Sequence, residues 1–199
     1  MKTGIFGGAF NPIHNGHINL AKIYYDALCL DRLIFIPTSN PPHKTGENLV
    51  STEDRLNMLS LALEDTPFEI SDIEFRRSGK SYTYDTLLQL KKLYPDDEFY
   101  LIIGADQFLA FNSWYRYEDI IENAVICTCA RENDKEKDEI TAFASELGLG
   151  EDDFFLSQLP VFKVSSSEIR EKLNNGGDLS RLLPEKVLDY ILKKGLYRV

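Results

Sequence analysis

No run of apolar residues in this chain approaches the roughly 20 needed to cross a bilayer, and the opening stretch MKTGIFGGAF carries no long apolar core with a small-residue cleavage site. No membrane span and no secretory leader are therefore expected, and the expected compartment is the cytoplasm. Basic residues are in deficit, 22 Lys and Arg against 32 Asp and Glu, for a net charge of −10. A surface of that sign repels nucleic acid and anionic membranes, so neither is an expected partner, although a small anion can still bind where basic groups cluster. Cysteine is scarce. Cys29, Cys127 and Cys129 are an odd number without the C-x-x-C spacing of zinc sites. Each lies in or beside an apolar run and is expected to be a buried thiol. Repeats, low-complexity tracts and composition breaks are also missing, and 199 residues of which 43% are hydrophobic suit one sizeable core rather than two.

What is present is alternation. Apolar runs at TGIFG (3–7), RLIFIP (32–37), FEISDIEF (68–75), EFYLIIGAD (98–106) and VICTCARE (125–132) are separated by amphipathic stretches. Ile18, Ala21, Tyr25 and Leu28 recur at helical spacing in INLAKIYYDALC, as do Leu56, Leu59 and Leu63 in STEDRLNMLSLALE, where Ser51 is placed to cap. YDTLLQLKKLY and YEDIIENA read as further helices, and ENDKEKDE (132–139) as a solvated loop and helix start without a function. A last strand within FFLSQLPVFKVS feeds SSEIREKLNNGG, and PEKVLDYILKKG closes the chain as a helix stopped by Gly195. The pattern predicts an α/β fold: a doubly wound parallel sheet covered on both faces, in a single domain over 1–199 with 165–199 as its C-terminal helical part. Such sheets bind ligands beyond the carboxyl ends of the strands, where strand order reverses. Three loops are expected at that edge: the one opening at Gly7, GAD at 104–106, and SSSEIR at 165–170.

The first of these, GGAFNPIHNGH (7–17), has neither the G-x-G-x-x-G of dinucleotide dehydrogenases nor the P-loop pattern. Its glycines permit close backbone approach to a phosphate. His14 and His17, three apart, share one face of a helix starting near Pro12 or Asn15, at the positive end of its dipole. Two imidazoles there can donate to phosphoryl oxygens; the plainer reading is that they cap the helix or lie on the surface. Ser165, Ser166 and Ser167 open a helix whose N–H groups suit an anion, and Arg170 a turn on adds a guanidinium fork. Ser165 with Glu168 equally makes a capping box, and the two roles are compatible. Asp106 reads as an acceptor for ribose hydroxyls or as the N-cap of the next helix. Trp114, the only tryptophan, reads as core or as a stacking platform. Arg55, on an acidic helix, reads as a surface charge.

GGAFNPIHNGH resembles the H-x-G-H signature of nucleotidyltransferases, and VSSSEIR (164–170) resembles the second signature of that superfamily, a Ser/Thr-rich turn followed by Ile-Arg. Either alone is weak; both in this order on a β-α alternation are specific. NPPHK (40–44), SYTYDTL (81–87), LIIGADQF (101–108), SWYRYEDI (113–120) and YILKKGLY are similar to the bacterial nicotinate-nucleotide adenylyltransferase family over essentially the whole chain. The resemblance implies a Rossmann-like nucleotidyltransferase fold and an enzyme of NAD biosynthesis. Its reaction would transfer the adenylyl group of ATP to nicotinate mononucleotide, giving nicotinate adenine dinucleotide and pyrophosphate, with Mg²⁺ accompanying ATP and no protein-held metal. A homo-oligomer is compatible with it. The resemblance implies His14 and His17 as catalytic residues on the ATP phosphates, His17 nearest the α-phosphate. Gly7, Gly8, Ala9, Phe10, Gly104, Asp106, Ser165, Ser166, Ser167, Ile169 and Arg170 would complete the ATP site. Asn40, His43, Lys44, Thr83, Trp114 and Tyr115 would line the mononucleotide site, His43 and Lys44 reaching its phosphate unless they are solvated loop residues. Backbone N–H groups near Thr83 and Tyr115 would meet the pyridine substituent, with the Trp114 indole on the ring, so a pocket of donors would favour the acid over the amide. The attacking 5′-phosphate, with a second pKa of about 6, is already largely dianionic and needs no general base.

The chain departs from the family pattern in places. Ala9 stands where Ser or Thr is common, Asn11 where Asp is frequent, and ARENDKE lacks the Arg-Pro-Gly often found there, which leaves Arg131 without a firm counterpart. Rival readings are an adenylyltransferase for pantetheine phosphate, against which SYTYDTL, Trp114 and PPHK weigh, and a non-catalytic nucleotide sensor, against which His14, His17 and Arg170 weigh. A metal-binding protein built on the two histidines lacks Cys or Asp partners at ligand spacing.

Overall fold

Strands form where the apolar runs lie: β1 (Lys2–Gly8), β2 (Arg32–Pro37), β3 (Glu69–Ile70), β4 (Glu98–Ile102), β5 (Val125–Cys129) and β6 (Phe154–Ser157). The computed structural model describes residues 1–40, 49–130, 134–157 and 162–197. The strands make one six-stranded sheet in the order β3-β2-β1-β4-β5-β6, with every pairing parallel. Between them run α1 (Asn15–Ala27), α2 (Thr52–Leu63), α3 (Thr83–Leu93), α4 (Ala105–Phe108), α5 (Tyr117–Ile121) and α6 (Asp134–Glu146). After β6 come α7 (Ser166–Asn175) and α8 (Glu185–Lys194).

Successive side chains of a strand face opposite ways, and here both faces are buried. Phe6, Phe35, Tyr100 and Cys127 join a core with Tyr24 of α1, Leu59 of α2, Ile169 of α7 and Val187 of α8. Ile5, Ile34, Leu101 and Ile126 join a second core with Leu87 of α3, Phe108 of α4, Ile120 of α5 and Ile140 of α6. Double burial explains why the strands read as continuous apolar runs. Strand order reverses between β1 and β4, whose ladder ends at Phe6 opposite Ile102. The chain beyond Gly8 and the chain beyond Ile103 therefore leave the sheet side by side, flanking the switch-point crevice. Among the described residues no helix is long and apolar enough to cross a membrane.

The expected caps form. Ser51 accepts from the Asp54 N–H at 3.0 Å, and Gly195 ends α8 at φ +64°. Three local expectations need correction. FEISDIEF supplies only the two-residue strand Glu69–Ile70. The chain then turns, because Glu74 is drawn inward to accept hydrogen bonds from Ser39 and Thr86. Cys127 and Cys129 are buried, but Cys29 is exposed: it occupies a left-handed turn at φ +50° after α1, with its Sγ 3.7 Å from the Asp26 carbonyl oxygen. Arg55 is not a surface charge. It is 2% exposed, on the inward face of α2 with Met58 and Leu59.

Candidate active site

The chain between β1 and α1 is held by its carbonyls. Thr38 N–H donates to the Gly8 carbonyl at 2.8 Å and Arg55 Nη1 to that of Ala9 at 3.0 Å. Arg170 Nη1 donates to the Asn11 carbonyl at 2.7 Å, and Ser166 Oγ to that of Pro12 at 2.9 Å. Carbonyls engaged from the end of β2, α2 and α7 are kept from facing an anion in the crevice. Asn11 Oδ1 accepts from Val50 N–H at 3.2 Å and from the Tyr197 hydroxyl at 2.9 Å, so even the loop's side-chain carbonyl is occupied. Phe10 turns back into the core at φ +45°. Gly8 leaves that ring room, because a Cβ there would stand 3.1 Å from it.

His14 and His17 combine the two readings of their motif. His14 is the N-cap of α1 in extended backbone, and its Nδ1 accepts from the His17 N–H at 3.3 Å. His17 Nδ1 accepts in return from the His14 N–H at 3.2 Å. The rings stack with centroids 3.5 Å apart and planes 20° apart. An Nδ1 that accepts from an amide carries no proton, so the proton of each neutral ring sits on Nε2 and makes it a donor. Phe10 meets the His17 ring edge-on at 5.1 Å and helps fix its plane.

The second signature folds against the first. Ser165 caps α7, accepting from the Glu168 N–H at 3.1 Å, while Ser167 Oγ accepts from Arg170 Nη2 at 2.9 Å. Ile169 is wholly buried, so it anchors α7 and can offer a ligand only its backbone. Gly16 permits the approach: a Cβ there would lie 2.7 Å from Val164 Cγ1 and 3.0 Å from the Phe162 carbonyl oxygen. The amino ends of α1 and α7 thus meet over the crevice, and both suit a phosphate.

Around them the remaining residues are spread along the same edge. Asp106 lies exposed in the first turn of α4, whose N-cap is Gly104, so the capping reading of Asp106 does not hold. Its carboxylate accepts from Gln107 Nε2 at 3.2 Å. Asn40 is exposed and pairs through its backbone with Ser81, donating to Ser81 Oγ at 3.2 Å and accepting from Ser81 N–H at 3.0 Å. Thr83 opens α3, whose N-cap Tyr82 makes no side-chain capping bond. Trp114 is half-buried against Phe111, centroids 5.2 Å apart, and so is both core and accessible face. Tyr115 is 51% exposed and its ring lies 4.6 Å from that of Tyr82. His43, Lys44 and Arg131 lie outside the described residues.

Arg55, Glu74 and Tyr197 carry the site's hidden polar structure, and sequence reasoning assigned none of them to it. An Arg on the apolar face of a helix was the one available signal. Burial lowers the Arg55 pKa, with Tyr197 and Glu74 working against the fall. Burial pushes the Tyr197 phenol well above its ordinary value, so it remains a donor to Asn11. Among the described residues no group of three or more His, Cys, Asp or Glu side chains could hold a metal ion.

Known proteins resemble this chain over nearly its whole length. The cytidylyltransferase-like family model matches residues 5–172. A probable nicotinate-nucleotide adenylyltransferase of Lachnoclostridium phytofermentans is 41% identical over 198 residues, covering 98% of each chain. One from Clostridium tetani is 39% identical over 198 residues, covering 99% of each. The Plasmodium falciparum nicotinic acid mononucleotide adenylyltransferase complexed with NaAD superposes with a TM-score of 0.79 at 21% identity, over 99% of this chain and 98% of that one.

Proposed function

The chain belongs to the cytidylyltransferase-like family and, within it, to the nicotinate-nucleotide adenylyltransferases, and from that membership we propose that it transfers the adenylyl group of ATP to nicotinate mononucleotide. The observation that carries the reading is the loop between β1 and α1. Its carbonyls are held away by Thr38, Arg55, Arg170 and Ser166, and two stacked imidazoles, each with Nδ1 engaged by a backbone N–H, stand at the amino end of α1. A triphosphate needs such a cradle and supplies the negative charge that it lacks.

In the reaction an oxygen of the mononucleotide 5′-phosphate attacks the α-phosphorus of ATP. The bond from that phosphorus to the bridging oxygen breaks, and pyrophosphate leaves with the electron pair. The attacking group is already dianionic near neutral pH, so the protein's task is positioning and charge stabilisation. His17 and His14 donate to the α-phosphate and its neighbours, the amino ends of α1 and α7 hold the departing phosphates, and Asp106 accepts from the ribose. Mg²⁺ brought in with ATP would supply charge neutralisation on the triphosphate, and among the described residues no group of three or more His, Cys, Asp or Glu side chains could hold it. On the other side Trp114 covers the pyridine ring. The uncapped amino end of α3 at Thr83, with the Tyr115 N–H, receives the carboxylate.

A coupled pyrophosphate assay with ATP and, in turn, nicotinate mononucleotide, nicotinamide mononucleotide and pantetheine phosphate tests this. A carboxamide would turn its NH₂ toward at least one N–H donor, so kcat/KM should favour the acid by about 10²–10⁴. Equal values for acid and amide would remove the donor-only pocket, and preference for pantetheine phosphate would reassign the substrate.

A further inference from the structure

Resting on the adenylyltransferase reading, we propose that Arg55 and Glu74 are positioning residues that set the distance between the two bound substrates. Arg55 reaches from α2 to the carboxyl edge of the sheet. There its Nη1 donates to the Ala9 carbonyl at 3.0 Å and to the Thr38 carbonyl at 2.6 Å. Ala9 belongs to the loop that leads to His14, and Thr38 to the chain that leads from β2 to Asn40. The β1–β2 ladder ends at Gly8 opposite Pro37, with Thr38 N–H on the Gly8 carbonyl at 2.8 Å, and the guanidinium carries the tie between the segments assigned to ATP and to the mononucleotide one residue further, to Ala9.

Glu74 extends the frame. Its Oε2 accepts from the Ser39 N–H at 3.3 Å and its Oε1 from the Thr86 hydroxyl at 2.8 Å, which fixes the first turns of α3 to the same segment. Arg77 closes it, with Nη2 donating to Thr86 Oγ1 at 2.6 Å and lying 3.8 Å from Glu74 Oε1. Arg55 and Glu74 are 2% and 7% exposed, so neither is a solvated ion. Burying a guanidinium is costly, and a role confined to stability is served as well by a neutral, well-packed side chain. In-line transfer makes a different demand: the attacking oxygen and the α-phosphorus must come within about 3–3.5 Å, and a 1 Å misplacement costs about 10²-fold in rate. Two charged side chains that tie three substrate-bearing segments to one another meet that demand. Neither is placed to touch the reacting atoms.

The test is steady-state kinetics of the full chain with ATP and nicotinate mononucleotide for Arg55→Met, Arg55→Lys, Glu74→Ala and the Arg55→Met/Glu74→Ala double variant. All are assayed at a temperature where circular dichroism shows the protein folded. Arg55→Met should lower kcat about 10²-fold while each KM stays within about threefold of wild type. Arg55→Lys, which keeps the charge without the planar fork, should recover about tenfold of that loss. The double variant should be little worse than the poorer single one, because both break the same frame. If Arg55→Met does not fold, Arg55→Lys and Glu74→Ala carry the same kcat comparison. Folded variants with wild-type kcat would overturn the proposal while leaving the adenylyltransferase reading intact. A wild-type protein that releases no pyrophosphate with these substrates would overturn that reading and, with it, this inference.

Discussion

Two neighbouring residues, Gly16 and His17, illustrate different ways for one position to matter. His17 contributes an Nδ1 acceptor to the His14 N–H, at 3.2 Å, and a donor on the far side of the ring. His17→Ala removes both, and the losses separate by measurement. Loss of a donor to developing charge should lower kcat by about 10²–10³ with a smaller change in KM for ATP. Loss of the capping contact should cost about 1 kcal/mol in denaturant melts. A His17→Ala enzyme with full turnover would remove the ring from the chemistry. Gly16 has no chemistry of its own. A Cβ there would meet the Phe162 backbone carbonyl at 3.0 Å and Val164 Cγ1 at 2.7 Å, so Gly16→Ala must push the chain before α7 outward. About 1–3 kcal/mol of destabilisation is expected, together with weaker ATP binding; an unchanged melt and unchanged KM would mean that the segment yields freely.

At the scale of elements, the site depends on α7 staying docked on the loop before α1. Ser166 and Arg170 make that docking, through the Pro12 and Asn11 carbonyls. Arg170→Ala releases the Asn11 carbonyl toward the crevice as well as removing a cation, so KM for ATP should rise and kcat fall together. Titration calorimetry should find mononucleotide binding nearly intact, and weakening confined to the mononucleotide would assign Arg170 to the other substrate. The elements that matter here were legible in the sequence because their signals are local. The run RLIFIP, Ser51 before Asp54, Gly195 after the last helix and the Ser-rich turn at 165–167 each state their structure within a few residues. What stayed hidden is non-local. Glu74 turns the chain out of a strand-like sequence because its partners Ser39 and Thr86 lie on other elements. Arg55 reads as a surface charge until α2 is laid beneath Ala9 and Thr38. Tyr197 reaches Asn11 across nearly the whole chain. Cys29 fails for the opposite reason: its apolar neighbours suggested burial, and it lies exposed in a left-handed turn.

Across the whole molecule the sheet separates chemistry from stability, with the crevice at the carboxyl ends of the strands and a charge cluster at the amino ends. Asp97, before β4, accepts from Thr3 Oγ1 of β1 at 2.7 Å and pairs with Arg32 at the start of β2. The N-terminal ammonium lies 3.4 Å from its other oxygen. The Arg32 guanidinium stands 3.8 Å from the Tyr94 ring centroid. Burial opposes ionisation of Asp97, yet the hydrogen bonds from Thr3 and the ammonium, with the Coulombic pull of the ammonium and Arg32, hold its pKa below the ordinary value. A carboxylate whose pKa is depressed by folding stabilises the native state above its unfolded pKa of about 3.9, and that contribution is lost as the pH falls through the folded pKa. Asp97→Asn removes the charge at every pH. At pH 7 the variant should therefore be about 2 kcal/mol less stable than wild type, the scale of hydrogen bonds to a charged group. The two melting curves should begin to converge as the pH drops below about 4, the unfolded value, and meet only below the depressed folded pKa, where the wild-type carboxyl is protonated as well. Because the cluster and the crevice lie at opposite ends of the strands, KM for both substrates should be unchanged in the folded variant at 25 °C. A stability gap that stays constant from pH 7 to pH 3 would show that Asp97 acts by packing rather than by charge, and an altered KM would show that the two ends of the sheet are coupled.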